Sequence, residues 1–133
     1  MKDRLYLVAA SAVGIAGGIH LYLGLSLLKS QFFQFSDFFL IVAAVQLCWT
    51  IPMLKKFGRM WLFVGIGGNL ALFGLWVLTR LPNPITRIGL PVNSLGIAEE
   101  AFQLAYIAIA IALVYALKPG RSFQKKETLQ GSA

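Results

Sequence analysis

Only five of the 133 residues are acidic, against twelve Lys or Arg, one His and one Cys. Charged residues make up 13% of the chain, whereas a soluble domain carries roughly 25%. So few charges cannot clothe a surface that faces water on every side. The lone cysteine, Cys48, excludes an intrachain disulfide, and its apolar surroundings say nothing of redox compartment. The lone histidine, His20, has no second imidazole beside it, a poor donor set for a metal or haem held by one chain. It remains the one residue to weigh as a metal ligand, shared across a subunit interface. There is no phosphate loop and no nucleophile with its base. No catalytic residue is therefore assigned, and no cofactor-binding residue can be named.

What is abundant is apolar. The hydrophobic fraction is 58% and the mean hydropathy +0.74. A spanning helix needs about 20 mainly apolar residues, and four runs qualify: Leu5–Leu28, Ser36–Leu54, Met60–Thr79 and Leu95–Leu117. The alternation of IAIAIA at 107–112 suggests a strand, but an open sheet cannot sit in lipid, so helix is the better reading. Ala10-Ser11-Ala12 resembles a signal-peptide cleavage motif; the apolar stretch before it is too short and the run continues past it, so an uncleaved helix is expected. The expected fold is an all-α integral membrane four-helix bundle over 1–117, with a polar basic tail at 118–133.

The net charge is +7 and the pI about 9.9. The basic residues sit at the ends of apolar runs, which indicates topology and lipid headgroups rather than nucleic acid. Lys2, Arg4, Lys55, Lys56, Arg59, Lys118, Arg121, Lys125 and Lys126 fall on one side; Lys29, Arg80 and Arg87 fall on the other. The positive-inside rule then places both termini in the cytoplasm of a multi-pass plasma-membrane protein, and the proline-rich loop from Arg80 to Ser94 outside.

Punctuation follows. Ser36 and Ser94 stand where caps of the second and fourth helices belong, Pro52 falls in the last turn of the second, and Pro119-Gly120 ends the fourth. His20 lies in the first span, and Gln46, Asn69 and Gln103 place one amide in each of the other three. These are expected to hydrogen-bond between helices. Glu99 and Glu100 open the fourth helix and are expected to pair with Arg80 and Arg87 in an outer-face ion pair. Successive helical positions point about 100° apart, so only one of the two should face the interior. Ala10, Gly14 and Gly18 form a small-xxx-small packing stripe, widened by Gly17. Gly65, Gly67, Gly68 and Gly74 crowd the third helix, and Ala101, Ala105, Ala108, Ala112 and Ala116 the fourth. Phe32, Phe33, Phe35, Phe38 and Phe39 gather about the first outer loop, as an aromatic belt or a docking surface.

The order GIHL, an aromatic cluster, FFLIVAAVQLCW, GIGGNLALFGLWVLTRLPNP and LGIAEEAFQ resembles a group of small four-helix membrane proteins from actinobacteria and ammonia-oxidising archaea. His20, Gln46, Trp49, Trp76, Arg80 and Glu99-Glu100 stand at the group's characteristic places, and the likeness covers roughly 17–105. It implies an accessory subunit of a copper membrane monooxygenase, notably archaeal ammonia monooxygenase. Copper would then belong to partner subunits, and this chain's own company would be other integral membrane subunits and lipids. The competing expectation is a small transporter, channel or metal chaperone with a polar path at His20, Glu100 and Gln103. The partner contacts are expected on loop 81–95 and on parts of the first and fourth helices.

Overall fold

A computed structural model describes residues 1–30, 35–84, 87 and 89–117. Phe32, Phe33, the basic tail from 118 and the Pro119-Gly120 stop lie outside the described residues. Four helices form among them: α1 (Lys2–Leu28), α2 (Ser36–Leu54), α3 (Arg59–Arg80) and α4 (Ser94–Ala116). All four are long and apolar enough to cross a membrane. At 1.5 Å per residue the shortest, with 19 residues, reaches about 28 Å, close to the hydrocarbon thickness.

The helices pack in the order α2–α1–α4–α3: α1 lies against both α2 and α4, and α4 carries α3. Small residues set the closest approach. A Cβ on Gly17 would stand 3.0 Å from Leu47 Cγ, and one on Gly24 2.8 Å from Leu40. Gly14 meets Thr50 at 3.3 Å, whereas Gly18 faces open space. The α1 stripe therefore departs from the expected Ala10, Gly14, Gly18 line. Seven-residue spacing, as in Gly17 and Gly24, stays on one side of an antiparallel neighbour; a four-residue step drifts around the helix by about 40°.

Caps also differ from expectation. Asn93, not Ser94, caps α4, accepting a 2.7 Å bond from the Gly96 N–H. Phe35 precedes α2 without a side-chain cap, and Ser36 is buried. Pro52 does sit inside the end of α2. The short turn to α3 needs Lys56 at φ 54° and Gly58 at φ 99°, the latter a conformation glycine takes without a Cβ penalty. Described residues after α3 contact its end: Leu90 N–H donates to Thr79 O at 2.9 Å, Asn83 donates to Leu78 O at 3.1 Å, and Gly89 lies against the Arg80 carbonyl.

The two ends of the bundle differ. Near the start of α1 the core is apolar: Tyr6, Ala9, Val13, Met53, Leu62, Tyr106, Ala110 and Leu113. Near the end of α1 the buried polar residues are His20, Ser36, Gln46, Glu99, Glu100 and Gln103.

Candidate functional site

The polar end is built around His20. Its Nδ1 lies 3.2 Å from Ala16 O, 2.9 Å from Gln46 Oε1 and 3.4 Å from Glu99 Oε1. A backbone carbonyl only accepts, so Nδ1 carries the hydrogen and donates among three oxygens. One imidazole thus ties α1 to α2 and to α4. Phe39 covers the ring, its centroid 5.7 Å away and tilted. Gln103 donates to Glu99 one turn earlier on the same helix, which orients the carboxylate toward His20.

Glu99 and Glu100 are both buried, 4% and 5% exposed. The expectation that only one could face inward is corrected by the packing order. Because α4 lies between α1 and α3, two sectors about 100° apart are both covered. Glu99 faces His20 on α1; Glu100 feels the charge of Arg80 on α3. The expected ion pair is not formed as written. Among the described residues the acid–base side-chain contacts are His20–Glu99 and Lys56–Asp3. Arg80 lies 4.9 Å over the Trp76 ring and donates to Thr79 Oγ1 at 3.2 Å. Arg87 is exposed, at φ 60° in the loop, with its N–H on Asn83 O.

Of the four in-span polar residues, only His20 and Gln46 bond to each other across helices. Asn69 donates to Gly65 O on its own helix at 2.8 Å, and Gln103 bonds within α4. An amide at i+4 from a carbonyl or carboxylate is satisfied locally, which is why spacing alone did not separate these cases. Six buried polar atoms of this end find no partner among the described residues: Ser36 Oγ, Gln46 Nε2, Gln103 Oε1, Glu100 Oε2, Trp76 Nε1 and Arg80 Nε. Among the described residues, no three His, Cys, Asp or Glu side chains gather to hold a metal.

A second interhelical centre was not read from the sequence. Trp49 Nε1 donates to Tyr106 Oη at 3.0 Å, and Tyr106 Oη donates to Met53 Sδ at 3.7 Å. Gly65 of α3 faces this bond: a Cβ there would collide with the Tyr106 hydroxyl and lie 2.6 Å from Trp49 Nε1. Tyr106 is fully buried. The only signal was a tyrosine inside an apolar run, where a hydroxyl demands a partner.

Chemically, the His20 cluster can hold a proton between imidazole and carboxylate, and it fixes three helices in register. His20, Glu99 and Gln103 are each at most 4% exposed. Comparison with protein-family models, curated proteins and solved structures finds no match for this chain.

Proposed function

We propose that the chain is an accessory subunit of a multi-subunit membrane complex and that α3 is its docking helix. The observation that carries this reading is the face α3 turns away from its own bundle. Of the most apolar stretch of each helix, 44% is buried in α1 and in α4, 22% in α2 and 17% in α3. The buried residues of α3 are Leu62, Gly65 and Asn69. At about 100° per residue, Gly67, Ala71 and Gly74 share a sector about 60° wide on the opposite side. A Cβ at Gly67 or Gly74 would meet nothing within 4 Å, and Ala71 is exposed. Among the described residues nothing packs on these small residues. In lipid such a stripe lets a second helix approach closely. The expected docking elements, helices 1 and 4, are the ones this chain itself covers most, so the reading moves to α3.

The charge pattern supports cytoplasmic termini in a plasma membrane, with the Arg80–Ser94 loop outside. Lipids would cover the rest of the apolar surface. The likeness to the four-helix group supports the narrower assignment to a copper-dependent ammonia or methane monooxygenase, with the copper in partner subunits. A transporter path through His20, Glu100 and Gln103 would need water at groups that are closed over by their own neighbours.

Extraction from native membranes in mild detergent, followed by native electrophoresis and mass spectrometry, tests the reading. Co-migration with larger membrane subunits at fixed stoichiometry is expected, and monooxygenase subunits in that band would support the narrower form. Migration as a monomer or homo-oligomer would sink it.

A further inference from the structure

Charge is placed differently at the two ends of the bundle. At one end stand Lys2 and Arg4 of α1, Lys55 and Lys56 of the α2–α3 turn, and Arg59 of α3, against a single described acidic residue, Asp3. At the other, Lys29, Arg80 and Arg87 stand against Asp37, Glu99 and Glu100. Among the described residues the second end is balanced and the first has a clear positive excess.

That excess is gathered in one place. Lys56 Nζ donates to Asp3 Oδ1 at 2.7 Å, which sets the α2–α3 turn against the first turn of α1. The bond also engages the acidic side chain of this end. Among the described residues no carboxylate pairs with Lys2, Arg4, Lys55 or Arg59. The turn itself is ordered: the N–H groups of Lys55, Lys56 and Phe57 donate to the carbonyls of Ile51, Met53 and Pro52 at 2.9, 3.2 and 3.0 Å. Lys55 and Arg59 therefore project from a fixed backbone, four residues apart, and binding an anion there orders only side chains.

What adjoins the cations is aromatic. Trp61 lies two residues beyond Arg59, about 3 Å further into the span. The Phe57 and Trp61 rings are 5.6 Å apart, and both are more than 40% exposed. The Arg59 guanidinium lies 5.8 Å over the Phe63 ring. Its stem thus runs along the apolar flank while its charge stays at the edge, as a snorkelling side chain does. Indole rings favour the headgroup level of a bilayer. A soluble anion would use the cations alone; a phospholipid uses the cations for its headgroup and the rings for the part below it.

We propose that the α2–α3 turn binds one anionic phospholipid, with its headgroup held by Lys55 and Arg59 and its glycerol end resting on Phe57 and Trp61. Lys56 is left out of the site because Asp3 holds it. The site lies at the opposite end of the bundle from His20 and does not rest on the subunit reading.

The test is native mass spectrometry of the full-length protein in mild detergent, titrated with phosphatidylglycerol or with phosphatidylcholine of the same acyl chains. One phosphatidylglycerol should be retained, about thirtyfold more tightly than phosphatidylcholine, the worth of two cations beside an anionic headgroup. Lys55→Gln/Arg59→Gln should erase that preference, and Lys29→Gln/Arg87→Gln at the other end should keep it. Lys55 is exposed and Arg59 half-buried, so both double variants should melt like the unsubstituted chain when no lipid is added. Equal retention of the two lipids by the unsubstituted protein overturns the anionic site. A preference that survives Lys55→Gln/Arg59→Gln overturns its placement at the turn. Inorganic phosphate that raises the melting temperature as much as phosphatidylglycerol overturns the lipid as its ligand.

Discussion

α1 and α3 are built from similar material and used differently. Their mean hydropathies are 1.6 and 1.8, yet 44% of the one stretch is buried within the chain and 17% of the other. Overall hydropathy therefore says that each helix leaves water, but not what it then touches. In a soluble bundle the outward face must be polar. In lipid, inward and outward faces are equally apolar, because acyl tails are as apolar as leucine. What distinguishes them is where the smallest residues and the polar side chains stand. Glycines on α1 at 17 and 24 fit under side chains of α2; glycines on α3 at 67 and 74 fit under nothing among the described residues.

That contrast can be broken on either side. The largest effect is expected at Gly65, the α3 glycine that does face inward. Gly65→Val drives a side chain into the Tyr106–Trp49 bond and should cost about 3 kcal/mol, the upper end of overpacking. Unfolding in mixed micelles would measure it, and a loss under about 0.5 kcal/mol would mean that Gly65 is no more a contact than Gly67. A smaller loss is expected at the polar end. His20→Ala removes the donor shared by Gln46 and Glu99 and should cost about 1–2 kcal/mol by the same assay; unchanged stability would show the cluster to be no structural tie. The smallest effect belongs to the Lys56–Asp3 pair, 2.7 Å long but 48% and 80% exposed. Lys56→Ala should leave the unfolding curve where it was, and a clear shift would mean that the bundle's other end is more tightly held than its solvent exposure indicates.

Much of the fold was legible because membrane spans are long and announced by composition. The expected boundaries of α2 coincide with those observed, and those of α3 and α4 lie within one residue. α1 starts three residues early because Lys2, Asp3 and Arg4 continue the helix beyond its apolar run. The site was legible as a set of residues and not as a set of contacts. His20, Gln46, Glu99 and Gln103 do gather at one end, but the sequence could not say that α1 would sit between α2 and α4. That order decides that Glu99 meets His20 rather than an arginine, and that Glu100 is buried at all. Trp49, Met53, Gly65 and Tyr106 were hidden for the same reason: each is ordinary in an apolar run, and only packing brings them together.

The most direct test substitutes leucine on the two sides of the contrast and extracts each protein from native membranes. Gly67→Leu/Gly74→Leu should fold and melt like the unsubstituted chain yet leave the complex, running as a free monomer on a native gel. If that variant stays in the complex at full stoichiometry, the outward face of α3 is a lipid surface and the docking account is wrong.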